Sequence, residues 1–192
     1  MNFTATPLAG LWVVETVPRG DARGRLTRLS CERSLQTIHP GLHFRQVNLS
    51  YSAQLGTVRG MHFQRAPAAE VKLVRCLRGR VFDVAVDLRA GSATFGHWHG
   101  VELTADNERQ LLIPEGFAHG FQTLTDDVEL LYQHSADYDA SCEDGVRHDD
   151  PALAKRLKLP SRRFIEATHS GIDLFALPED ATDLPDDEEP LF

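Results

Sequence analysis

Three polar stretches, set among apolar residues, carry side chains suited to moving protons. The first is Arg59-Gly60-Met61-His62-Phe63-Gln64. The second is Lys72, which heads the apolar pair Leu73-Val74. The third is Ile113-Pro114-Glu115-Gly116-Phe117-Ala118-His119-Gly120-Phe121, followed by Tyr132 in Leu130-Leu131-Tyr132. Imidazole titrates near neutrality and can serve as a general base at physiological pH. A lysine ammonium offers a fixed positive charge where negative charge develops, and a dry interior amplifies the effect. Each residue also has an ordinary reading. A lone buried histidine is often a satisfied core residue, Lys72 can snorkel to a rim, and Tyr132 can be a core aromatic with its hydroxyl satisfied locally. Their co-occurrence favours chemistry.

The two histidine segments have the outline of the two cupin motifs, which normally supply His-x-His and Glu from the first and a further His from the second to hold one metal. Here the first motif reads His62-Phe63-Gln64, and Glu70 lies too far along for the usual spacing. Two imidazoles, His62 and His119, make a poor iron or zinc site. His97 and His99 flank Trp98 with no third ligand apparent, and read as surface strand residues. No metal and no cofactor is expected.

The elements that must position these groups are strands. In residues 80–88, Phe82, Val84, Val86 and Leu88 alternate with Asp83 and Asp87, the period of a strand with its two aspartates on a polar face. Residues 44–51 alternate in the same way. Further strands are expected at 11–17, 58–64, 72–77, 97–103, 110–113, 120–124 and 128–134, separated by Gly-, Pro-, Asn- and Asp-rich turns. Many short strands at regular spacing predict an all-β antiparallel barrel or sandwich. Helical signal is sparse, with one short helix at 150–157 that has Asp150 as N-cap and Pro151 in its first turn.

At 192 residues and 42% hydrophobic content, the chain fits one soluble domain. No apolar window is long enough for a membrane helix, and the N-terminus lacks a secretory pattern. Three cysteines at wide spacing, Cys31, Cys76 and Cys142, argue against a disulfide framework and fit a reducing, cytoplasmic setting. The net charge of −8 comes mainly from residues 176–192, which hold seven acids and no Lys or Arg. This segment reads as a solvated acidic tail behind a domain at 1–175. No basic cluster points to nucleic acid.

Several strings, in order, resemble the dTDP-4-dehydrorhamnose 3,5-epimerase family. They are Gln46-Val47-Asn48-Leu49-Ser50-Tyr51-Ser52, the Arg59 and Ile113 strings above, Lys72-Leu73-Val74-Arg75, Asp83-Val84-Ala85-Val86-Asp87-Leu88-Arg89, Gly145-Val146-Arg147 and Asp150-Pro151-Ala152-Leu153. The resemblance implies a cupin jelly-roll barrel that forms homodimers and acts without cofactor on a nucleoside-diphosphate 4-keto-6-deoxy-hexose. Such enzymes serve cell-surface polysaccharide synthesis. By the same resemblance His62 is the general base, Tyr132 the general acid, and Lys72 the stabiliser of the enolate oxygen. Arg59, His119, Gln46 and Asn48 contact substrate, Tyr138 stacks on the nucleotide base, and Arg23 and Glu143 reach the nucleotide. Asp83 orients His119.

The resemblance breaks near both ends. Arg28 stands at a substrate-contact position where the family often carries Glu. In Ile165-Glu166-Ala167-Thr168-His169, Thr168 takes a position usually basic, and His169 takes that of the aspartate that pairs with the base. A carboxylate there would fix the tautomer of His62 and stabilise its imidazolium. Three readings follow: an active epimerase working at C-3, C-5 or both; a sugar-nucleotide-binding homologue with reduced turnover; and a metal-dependent cupin using His62 and His119.

Overall fold

The structure is a computed structural model, and it describes residues 1–146. The helix expected at 150–157, the acidic tail, Thr168 and His169 lie outside these residues. Thirteen strands and one short helix follow one another along the described chain. They begin with β1 (Asn2–Ala5), β2 (Trp12–Glu15), β3 (Arg19–Asp21), β4 (Gly24–Leu26) and the helix α1 (Glu32–Leu35). Next come β5 (Gln46–Ser52), β6 (Val58–Gln64), β7 (Lys72–Arg78), β8 (Arg80–Asp87) and β9 (Trp98–Thr104). The last four are β10 (Arg109–Ile113), β11 (Phe117–Thr123), β12 (Val128–His134) and β13 (Glu143–Gly145).

The strands form two antiparallel sheets and a small hairpin. One sheet runs β1-β2-β10-β7-β12-β5, the other β13-β6-β11-β8-β9, and β3 pairs with β4. From β6 to β12 the chain mostly changes sheet at each turn, so hydrogen-bonded neighbours are rarely consecutive. This is a jelly-roll barrel. Its core draws on both sheets: Val74, Cys76, Leu111, Ile113 and Leu130 from the first, and Val81, Ala85, Leu103, Phe117 and Phe121 from the second. Burying this apolar surface against water is the main force closing the barrel. The outer face of the first sheet carries a second cluster, in which Val14, Leu73 and Leu112 pack with Val71, Leu42 and Leu35 of α1.

The strand expectations at 44–51, 58–64, 72–77, 110–113 and 128–134 match observed strands within two residues at each end. β8 differs in burial. The alternation predicted a polar face for Asp83 and Asp87, but both residues are fully buried. Their face is the barrel interior, shared with Val81 and Ala85. The opposite face is also covered, as Val84 and Val86 pack with Met61, Ala118 and Trp98. Each aspartate therefore meets donors inside the protein. Those of Asp87 are Arg89, Ser92 and Thr94, at 2.6–2.9 Å. Burial pushes the Asp87 carboxyl up, but these bonds outweigh it and hold the group well below the carboxylate range.

Candidate active site

Alternation within the barrel sends Lys72, Val74 and Cys76 of β7 inward, along with Leu130, Tyr132 and His134 of β12. On the second sheet the inward residues include His62 of β6, Phe117, His119 and Phe121 of β11, and Asp83 and Ala85 of β8. The lining thus changes along the axis. Cys76, Leu130 and Val81 make one end apolar, while His62, Lys72, His119, Tyr132 and His134 make the other polar and titratable.

Register brings these groups together. His119 sits opposite His62 on β6 and Ala85 on β8. Tyr132 sits opposite Val74 on β7 and Asn48 on β5, and His134 opposite Lys72 and Gln46. The sheets meet where the His119 and Tyr132 rings pack edge to face, with centroids 5.9 Å apart. Behind His119, both carboxylate oxygens of Asp83 lie 3.0 Å from Nε2. Because a carboxylate only accepts, Nε2 carries the hydrogen, and the ring is fixed in tautomer and direction.

Tyr132 is half-buried. Burial pushes its titration well above the ordinary phenol range, the Asp83 charge adds to this, and Arg59 opposes it. The phenol therefore keeps its proton at neutral and moderately alkaline pH. Lys72 Nζ lies 3.4 Å from the His62 backbone carbonyl, with the side chain only 11% exposed. The His62 side chain is 59% exposed and reaches solvent.

The approach of β6 to β11 requires glycine. Gly60 has φ +118°, and a Cβ there would stand 2.5 Å from Gly120 Cα and 2.7 Å from the His119 carbonyl. Next to it, Arg59 donates from Nε to Ser52 Oγ at 3.1 Å.

The rim is built by the loop after β12. Gln46 Oε1 accepts from the Tyr138 N–H at 3.1 Å, and Gln64 Oε1 accepts from the Asp139 N–H at 2.7 Å. The loop therefore presents Tyr138 beside a groove lined by Arg45, Pro67 and Asp137. The Tyr138 hydroxyl donates to Glu143 Oε2 at 2.6 Å, and this bond, with burial second, raises its titration. The other Glu143 oxygen stands 3.8 Å from His62 Nδ1. The family resemblance assigned Glu143 to the nucleotide; the structure also places it next to His62.

Arg23 and Arg28 stand apart from this cluster. Arg23 is at the tip of the β3–β4 hairpin, fully solvated and paired with Asp21, and Arg28 is exposed on the segment after β4. Two residues that sequence reasoning passed over belong to the cluster. Glu70, weighed only as a metal ligand, contacts Lys72 and His134; His134 stacks on Tyr132. An acid two residues before a lysine that opens an apolar run was the available signal. Among the described residues, no group of three or more His, Cys, Asp or Glu is placed to hold a metal ion.

Fold and site together define a cupin-type β-barrel with titratable groups gathered at one end. The sequence model for dTDP-4-dehydrorhamnose 3,5-epimerase matches residues 5–172. A dTDP-4-dehydrorhamnose 3,5-epimerase of Sinorhizobium fredii is 44% identical over 153 residues, covering 80% of this chain and 78% of that protein. A dTDP-4-dehydrorhamnose 3-epimerase of Streptomyces niveus is 41% identical over 155 residues, covering 80% and 74%. The crystal structure of the Bacillus anthracis dTDP-4-dehydrorhamnose 3,5-epimerase with TDP and PPi bound superposes with a TM-score of 0.76 at 41% identity, covering 83% of this chain and 91% of that one. The chain belongs to the dTDP-4-dehydrorhamnose 3,5-epimerase family.

Proposed function

We propose that this protein epimerises a dTDP-linked 4-keto-6-deoxy-hexose at C-3, C-5 or both, by proton removal and return through an enolate. His62 takes the proton from the carbon beside the ketone. The C–H electron pair moves into the enolate, whose oxygen is met by the Lys72 ammonium. Tyr132 delivers its proton to the opposite face of the carbon, which inverts it. His62 then releases its proton and Tyr132 regains one, both by exchange with water. His119, held by Asp83 through its Nε2–H, contacts substrate through Nδ1, and Arg59 donates to it; Asn48 lies beside Tyr132 on the neighbouring strand. Tyr138 offers a ring for the nucleotide base to stack on.

The observation that carries this reading is the convergence of His62, Lys72 and Tyr132 on one barrel end, with Lys72 Nζ 3.4 Å from the His62 carbonyl and Tyr132 against the ring paired in register with His62. Incubation with dTDP-4-dehydro-6-deoxy-D-glucose in D₂O tests it. Deuterium at C-3 and C-5 marks a double epimerase, deuterium at C-3 alone a monoepimerase, and exchange at neither carbon defeats the reading.

The same reading carries an assembly and a compartment. Val47, Leu49 and Tyr51 alternate on the outer face of the edge strand β5, 63%, 62% and 52% exposed. An apolar row on an open sheet edge fits a second copy of the chain, giving a homodimer. Three free cysteines fit the cytoplasm. Among the described residues no helix is long and apolar enough to cross a membrane.

A further inference from the structure

Lys72 and Tyr132 share a neighbour to which the proton-transfer scheme gives no task. Glu70, two residues ahead of Lys72, has a side chain only 8% exposed. Its Oε1 lies 3.2 Å from Lys72 Nζ, and its Oε2 lies 2.8 Å from His134 Nδ1. The carboxylate can only accept, so Nδ1 of His134 carries the hydrogen. The His134 ring stacks on Tyr132, with centroids 5.8 Å apart and planes 16° from parallel. One buried carboxylate thus touches the ammonium directly and the phenol through a single ring.

The donor count of Lys72 gives this contact a direction. An ammonium has three N–H groups. One points to Glu70 and one to the His62 carbonyl, leaving the third as the donor a substrate oxygen can meet. A lysine side chain otherwise carries large rotamer freedom, and fixing it before substrate arrives removes that cost from the reaction. The carboxylate also offsets part of the ammonium's field, so its benefit is aim rather than charge.

We infer that Glu70 is a positioning residue, which aims Lys72 at the developing enolate oxygen and, through His134, braces the ring of Tyr132. The inference rests on the proton-transfer reading above. Burial raises the Glu70 carboxyl, but the His134 bond and the Lys72 charge outweigh it and hold the group below its ordinary range, so it is ionised at neutral pH.

Two readouts on Glu70→Gln test it. In steady-state kinetics kcat falls by about 10- to 100-fold, the range for loss of a hydrogen bond to a charged group, while KM changes little. A merely structural role would instead lower the melting temperature and leave kcat of the folded protein intact. The second readout needs no substrate. The chain has three lysines, Lys72, Lys155 and Lys158, so [¹⁵N]lysine labelling gives three side-chain ammonium signals. In the wild type the Lys72 signal is sharp and slow to exchange with water; in Glu70→Gln it is lost to exchange. Should the Gln variant not fold, Glu70→Asp gives the same pair of readouts, because it keeps the charge but withdraws it by one methylene. His134→Phe keeps a ring against Tyr132 and the Lys72 signal, yet lowers kcat by severing the tie to Glu70. An unchanged Lys72 signal in the Glu70 variants, or an unchanged or increased kcat, overturns the inference. If the wild type itself exchanges no deuterium, the proton-transfer reading fails and the ammonium signal alone decides the role of Glu70.

Discussion

His62 and His119 are cross-strand partners, and their rings meet different carboxylates. Fully buried Asp83 lies 3.0 Å from Nε2 of His119, while partly exposed Glu143 lies 3.8 Å from Nδ1 of His62. The closer, buried contact fixes the tautomer and direction of His119, whose Nε2–H donates to Asp83. The longer contact is solvated, with the His62 side chain 59% exposed. Two neighbouring imidazoles thereby take different duties from their surroundings.

Replacement of Asp83 by Asn tests the first duty. It removes the charge that orients His119, and kcat/KM is expected to fall by about 10- to 100-fold. It also removes the second contribution, after burial, that raises the Tyr132 titration. An alkaline spectrophotometric titration resolves this, since the chain has three tyrosines. The Tyr132 step moves to lower pH in the variant; an unmoved step would contradict the electrostatic account.

Tyr132→Phe separates proton removal from proton return. Inversion is expected to fall by about 10²–10⁴, the usual contribution of a positioned acid. Deuterium wash-in without inversion continues, because His62 is intact. NMR of the recovered sugar distinguishes the two, and parallel loss of both would show that Tyr132 is not the distal donor. The raised titration also has a sign for pH dependence. A phenol pushed up stays protonated to higher pH, so any alkaline fall in wild-type kcat below about pH 10 belongs to another group.

Gly60→Ala probes the strand approach that places His62. The new methyl meets backbone on both Gly120 and His119, and φ is positive, so neither relaxation nor repacking is easy. A loss of about 2 kcal/mol or more is expected in denaturant melts. A variant of wild-type stability would mean that β6 and β11 do not need this close contact.

β5 was legible in the sequence because it keeps a strict period of two, and β7, β10 and β12 because they are short apolar runs between turn-rich segments. β8 was legible as a strand but not in burial. One of its faces looks into the barrel and the other packs with Met61, Ala118 and Trp98, and alternation cannot distinguish an aspartate facing water from one facing a histidine inside a barrel. The three-residue strands β3, β4 and β13 are too short to show a period. Of the site, His62, Lys72 and Tyr132 were legible by residue type and setting. Glu70 was signalled only by its place two residues before Lys72, and its contact with His134 was not legible, because it depends on the pairing of β12 with β7, which no local pattern encodes.

Leu49→Asp tests the assembly. A charge in the apolar row of β5 should convert a dimeric wild type to a monomer in sedimentation equilibrium. A monomeric wild type, or a variant of unchanged mass, would contradict a dimer built on this edge.

The central claim is that His62 removes the proton, and His62→Asn tests it most directly. Wild type and variant are compared in D₂O with dTDP-4-dehydro-6-deoxy-D-glucose, following deuterium at C-3 and C-5 by NMR. The account predicts exchange by the wild type and a loss of at least about 10²-fold in the variant at every carbon the wild type labels. Exchange by His62→Asn at the wild-type rate would contradict it.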